Sequence, residues 1–181
     1  MNIRIQYNTT FITFGLLGAL LFSSCAGTAT KANFKNGSSM TALVSSKDGV
    51  KARVKADSNI SILEVEKTRI AQRIEERTAA KKTHNASGAE NKNYDVELTL
   101  TRYEKGNAFA RSMLAGLGQI HIDGIVRMYE LPNKKKVGEF TIKKTFAWGG
   151  LYGGTTSMED IERTFADSIA ATITGQKEDA P

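Results

Sequence analysis

The sequence predicts an α+β fold: a mostly antiparallel sheet of about five strands with two amphipathic helices packed on one face. Three observations lead there. Several segments alternate apolar and polar residues, among them Val50, Ala52 and Val54, then Val96, Leu98 and Leu100, then Ile120, Ile122, Gly124, Val126 and Met128. Two others place apolar residues on one helical face: Leu63, Ile70 and Ile74, and later Met158, Ile161, Phe165, Ile169 and Ile173. The chain has 181 residues, 40% hydrophobic and 24% charged, enough for one core without staples.

The elements follow in the order β-β-α-β-β-β-α. Met40 to Ser45 is a short apolar stretch, and Lys47-Asp48-Gly49 carries a hairpin turn signal, so a first hairpin is expected at about 41–56. Ser61 with Glu64 three residues on has the spacing of a capping box, and the helix it opens ends near Lys82. Arg69, Arg73, Glu76 and Arg77 fall mostly off its apolar face, with Glu66 and Arg69 spaced as an ion pair. The polar run His84 to Asn93 is a loop. A strand covers Val96 to Tyr103, and Glu104-Lys105-Gly106-Asn107 turns the chain. Ala108 to Leu117 is small and apolar, and reads either as a short helix or as an irregular connection.

The long hairpin is the clearest unit. Ile120 to Met128 alternate, Pro132-Asn133-Lys134 turns, and Val137 to Trp148 returns with Phe140, Ile142, Phe146 and Trp148 on one face. A glycine-rich loop, Gly149 to Gly154, follows. Ser157 and Asp160 cap the last helix, which Gly175 stops.

The N-terminus is an address. Arg4 precedes an uninterrupted apolar run, Phe11 to Phe22, with the length of a signal-peptide core and too short to span a bilayer. Phe22-Ser23-Ser24-Cys25 resembles the lipobox of bacterial lipoproteins, with Phe22 in the slot usually held by Leu. That resemblance implies cleavage before Cys25 and acylation of its thiol and new amine. One acyl chain holds a protein only marginally, at about 0.8 kcal/mol per buried methylene, whereas two or three hold it stably. Ala26, rather than Asp, follows the cysteine, which by resemblance to the enterobacterial sorting rule implies the outer membrane. The expected organisation is a signal peptide at 1–24, a flexible tether at 25–39, one α+β domain at 40–175 and a tail at 176–181.

Composition excludes several chemistries. A single cysteine rules out an internal disulfide and a cysteine-based zinc site; two histidines without short spacing rule out a His-rich metal site. The formal net charge is +6, which suits ordinary solubility and selects no polyanionic partner. No cofactor, metal or nucleic acid is expected, and no small-molecule ligand is indicated.

Gly149 to Thr156 has the glycine spacing of a phosphate loop, but Thr155 stands where that loop carries its lysine, so a surface loop is expected. His121 and Asp123 share a strand face without a Ser or Cys nucleophile in any motif, and read as a solvated face. Lys134, Lys135 and Lys136 make a basic turn tip. Phe146, Trp148 and Tyr152 read as core and loop-anchor aromatics.

Tyr103, Gly106, Asn107 and Arg111, followed by Gly116 and Gly118 before the next long strand, form a Y-x-x-G-N-x-x-x-R…G-x-G pattern. Over residues 95–174 the chain resembles the bacterial lipoprotein family of domain of unknown function (DUF) 4410, differing at the hairpin turn. The resemblance implies address and fold and brings no activity, cofactor or catalytic residue. From the residues themselves, Gly106-Asn107 suit positive φ, and Arg111 in an apolar segment needs a carboxylate or carbonyl partner. The motif is expected to clamp the loop entering the long hairpin.

The function expected is that of a lipid-anchored, non-enzymatic envelope lipoprotein. Its periplasmic domain would serve protein interaction or envelope maintenance, held to the membrane through Cys25. The alternative is a lipid- or polysaccharide-binding module using the basic turn and the glycine-rich loop.

Overall fold

The structure, a computed structural model, describes residues 33–34, 44–82, 91–114, 117–147 and 154–178. Its elements are β1 (Asn33–Phe34), β2 (Gly49–Ala56), α1 (Glu64–Lys81), β3 (Asn93–Glu104), α2 (Ala108–Met113), β4 (Ile120–Leu131), β5 (Lys135–Phe146) and α3 (Met158–Thr174). The strands form one sheet in the order β1-β5-β4-β3-β2. It is mixed: four strands are long, β1 is a two-residue edge, and β2 pairs with β3 in parallel while the other pairings are antiparallel.

The parallel pair corrects the expected first hairpin. The turn at residues 46–47 forms, and Asp48 holds it by accepting from the backbone N–H (2.8 Å) and hydroxyl (2.9 Å) of Ser45. Of the chain ahead of it, Val44 and Ser45 are described, and neither lies in a strand. Val44 instead donates its N–H to the carbonyl of Ile173 at the end of α3 (2.9 Å). Helix α1 then carries the chain back, so β2 and β3 run the same way, as a helical crossover requires. The strand at Asn33–Phe34 falls in the stretch expected to be a tether; most of Met40–Ser45 lies outside the described residues.

One face of the sheet is buried under the helices. Val96, Leu98, Leu100, Ile120, Ile122, Val126, Met128, Phe140 and Ile142 join Ile70 and Ile74 of α1 and Phe165, Ile169 and Ile173 of α3 in one core. The alternation read in β4 is thus the core face. Val137 and Phe140 are both buried although three apart, because a bulge opposite Met128 and Tyr129 shifts the register there. Gly124 lets Leu98 pack closely: a Cβ there would lie 2.6 Å from Leu98 Cδ1, which would have to shift.

The helix ends show which cap signals hold. Ser157 and Asp160 form the expected capping box on α3, and Gly175 ends it at φ 68°. Helix α1 begins later than Ser61. Its N-cap is Leu63, which has no side-chain acceptor, and Glu66 supplies the cap by accepting the Leu63 N–H (2.9 Å). Leu63 is exposed rather than on the apolar face.

At the free edge of the sheet, Glu75 of α1 accepts the N–H of Ala52 in β2 (2.8 Å). Lys51, Arg53 and Lys55 project from the same strand, so charge and a side-chain cap blunt an edge that could recruit another strand. Replacing Glu75 with Ala should lower stability by about 1 kcal/mol, and Glu75→Gln, which keeps an acceptor, should recover most of it. Thermal denaturation checks this; equal midpoints for the wild type and Glu75→Ala would contradict it.

Candidate functional site

Most of the motif residues meet where β3 leaves the sheet and β4 enters it. Gly106 has φ +63° and Gly118 φ +60°. A Cβ on Gly106 would lie 2.3 Å from the carbonyl oxygens of Gly118 and Gln119, and one on Gly118 would lie 2.3 Å from that of Asn107. Both glycines are therefore dictated by conformation and by close backbone approach. Asn107 is extended (φ −130°), not left-handed as its type allowed, and its side chain caps α2 by accepting from Ala110 N–H (3.0 Å).

Arg111 closes the loop. It is 3% exposed; its Nη1 donates to the carbonyl of Gly118 (2.8 Å) and, at 3.5 Å, to that of Lys105, while Nη2 donates to that of Thr156 (3.0 Å). Carbonyl partners were one of the two forms expected. The side chain thus ties the end of β3, the start of β4 and the residue before the α3 cap. Burial pulls its pKa below the usual arginine value. Gly116 and Cys25 lie outside the described residues.

Tyr103 leads from this loop to a cluster that the sequence reading missed. Glu162 of α3 is fully buried. Its Oε1 accepts from Tyr103 Oη (2.6 Å) and Arg69 Nη2 (2.8 Å), and its Oε2 from Arg69 Nε (2.7 Å) and Arg73 Nη1 (2.9 Å). Both oxygens are saturated. Burial, then the bond to Glu162, pushes the Tyr103 pKa well up; the same carboxylate raises that of Arg69. Arg69 and Arg73 also face Glu159, and Arg77 and Lys81 meet buried Asp167. Arg69 thus bridges to α3, whereas Glu66 turns to Lys105 (2.8 Å) rather than pairing with it. A signal existed: 69, 73, 77 and 81 are basic at every fourth position.

The other sheet face carries charge. Arg53 forks onto Asp95, Lys55 meets Glu97 (2.7 Å), and Arg127 and Lys136 meet Glu139 (3.2 and 3.0 Å). His121 and Asp123 are half-buried here rather than freely solvated. Burial lowers the His121 pKa and raises that of Asp123, favouring the neutral form of each. His121 Nδ1 lies 3.0 Å from Thr145 Oγ1, and its Nε2 lies 4.0 Å from Glu104. In that row of carboxylate, imidazole and hydroxyl the Glu104 contact exceeds a hydrogen bond, and Arg102 holds both Glu104 oxygens at 2.8 Å.

The basic turn and the motif loop occupy opposite ends of the sheet. Lys134, Lys135 and Lys136 lie at the β4–β5 turn and α2 at the β3–β4 connection, with 12-residue strands between them. Trp148 and Tyr152, and most of the glycine-rich loop, lie outside the described residues. Among the described residues no group of three His, Cys, Asp or Glu could hold a metal ion, and no helix is long and apolar enough to cross a membrane.

Replacing Arg111 with Leu removes the charged donor shared by the half-buried carbonyls of Gly118 and Thr156. The expected cost is about 3 kcal/mol, read as a lowered thermal midpoint. An unchanged midpoint would contradict the clamp.

Two solved structures of the PelC dodecamer from Paraburkholderia phytofirmans are similar to this chain. One is a leucine-to-methionine variant with TM-score 0.53; the other has TM-score 0.52. Each shares 8% sequence identity and covers 82% of this chain and 98% of its own. At that identity the likeness is one of fold. No curated protein matches the chain. A family model matches residues 28–150, a span that takes in all five strands and the motif, and the chain therefore belongs to the family described as Domain of unknown function (DUF4410).

Proposed function

We propose that this chain is an exported lipoprotein, held in the outer membrane by acyl chains on Cys25, whose periplasmic domain works by protein contact rather than by catalysis. One observation carries the reading: the apolar run Phe11 to Phe22 and Ser23-Ser24-Cys25 stand directly ahead of the domain. The domain's own chemistry agrees with it. The polar groups that burial would make reactive, Glu162, Tyr103 and Arg111, are spent on joining helices to sheet.

The PelC structures suggest what the contact is. They are dodecamers, and the fold they share with this chain supports a second copy of the chain as the first partner to test. A second reading, a module for an anionic polymer, draws on exposed Lys134 and Lys135 at the far end of the sheet.

Extraction of the protein from its host membrane tests this reading, with intact mass and native mass measured on one sample. The expected result is a chain starting at Cys25, heavier than its amino acids by two or three acyl groups, in assemblies of several copies. A mass equal to the unmodified polypeptide would overturn the anchor, and a strict monomer would overturn self-association.

A further inference from the structure

We infer that the α2 end of the domain sits in the lipid interface of the membrane to which Cys25 is anchored. The inference rests on the proposed anchor and adds a surface and an orientation to it.

The first observation is the surface of α2 and its flanks. Phe109 is 75% exposed, Met113 65%, Leu114 63% and Leu117 49%. From Gly106 to Gln119 the only charged residue is Arg111, and its guanidinium is turned inward onto carbonyls. The described surface of this segment is therefore uncharged, and four large apolar side chains stand out of it beside Asn107 and Ser112. A helix facing water carries polar residues on its outer side; one lying at a bilayer interface carries Phe, Leu and Met there. Leu63 and Val65, 62% and 65% exposed, lie at the same end, because Lys105 beside the loop pairs with Glu66 in the first turn of α1.

The second observation is the direction of β1. It runs antiparallel to β5, with Asn33 opposite Thr141 and Phe34 opposite Phe140. Strand β5 ends at Phe146, and β4 begins opposite it at Ile120, directly after the α2 connection. Strand β1 therefore enters the sheet from the side of the α2 end. Only residues 25–32 separate Asn33 from the acylated position, a reach of at most about 28 Å when fully extended. About 17 Å of that is used in passing the last five residues of β5, at about 3.3 Å each. Roughly 10 Å then remains beyond the sheet. Pairing of β1 makes the tether too short for the domain to stand clear, and the end it draws to the bilayer is the one that carries exposed Phe109, Met113, Leu114 and Leu117. The lysine turn faces away.

The test uses the full lipidated protein, in which acylation leaves no free thiol. Phe109→Cys and Lys135→Cys are each labelled with an environment-sensitive maleimide fluorophore. Each is then reconstituted into phosphatidylethanolamine–phosphatidylglycerol vesicles containing lipids with a quencher on the acyl chain. Quenching several-fold stronger at position 109 than at 135 is expected. Equal quenching at the two positions, or none at 109, overturns the seating. Energy transfer between labels at 109 without acyl-chain quenching also overturns it, because a second copy then covers the surface. Intact mass keeps the two readings apart: acyl chains present without quenching at 109 sinks the seating alone, whereas an unmodified mass sinks the anchor and the seating together.

Discussion

A carboxylate with no exposure to water sets the terms for the rest of this fold. Leaving Glu162 buried and charged without partners would cost several kcal/mol, so the chain has to bring it donors. It brings four, from three side chains on two other elements: Arg69 and Arg73 from α1, and Tyr103 from the end of β3. Satisfying one ion therefore fixes how α1 lies beside α3 and how both lie over the sheet. Farther along, Arg77 and Lys81 repeat the arrangement with Asp167, so the two helices are joined by a basic row meeting an acidic one. Hydrophobic burial beneath supplies most of the stabilisation; the ionic row supplies the register.

Tyr103 links this node to the family motif. Three residues after it Gly106 turns the chain, and Arg111 then gathers carbonyls from just after β3, just before β4 and the segment before α3. Motif and node form one continuous structural device around the α2 end. With Arg111 turned inward, the α2 segment at that end exposes Phe109, Met113, Leu114 and Leu117, while lysines mark the opposite end. A domain with two chemically different ends has an orientation relative to anything that holds it by its N-terminus.

Much of this was legible in the sequence. The apolar stripe of α3, its Ser157–Asp160 cap and its Gly175 stop were all readable because each depends on residues within a turn or two. The β4–β5 hairpin was readable from its alternation and turn. The oxygen partners of Arg111 were readable because a lone guanidinium in an apolar segment must find oxygen. The direction of β2 was not: alternation tells which face is buried, and says nothing about which neighbour pairs or which way it runs. Glu162 was hidden among Glu159, Asp160 and Arg163 on a helix that looked amphipathic, since its partners lie 59 to 93 residues away. Strand β1 was hidden in a stretch without periodicity, where only two residues pair with β5.

The claim on which the account stands is that Glu162 couples the helix layer to the sheet. A double-mutant cycle of Tyr103→Phe and Glu162→Gln, read by chemical denaturation, tests it most directly. The two residues share a buried hydrogen bond of 2.6 Å to a charged oxygen. The double mutant should be more stable than the sum of the single losses predicts, by about 1 kcal/mol or more. Strictly additive losses would contradict the coupling and leave Glu162 as a bystander in the core.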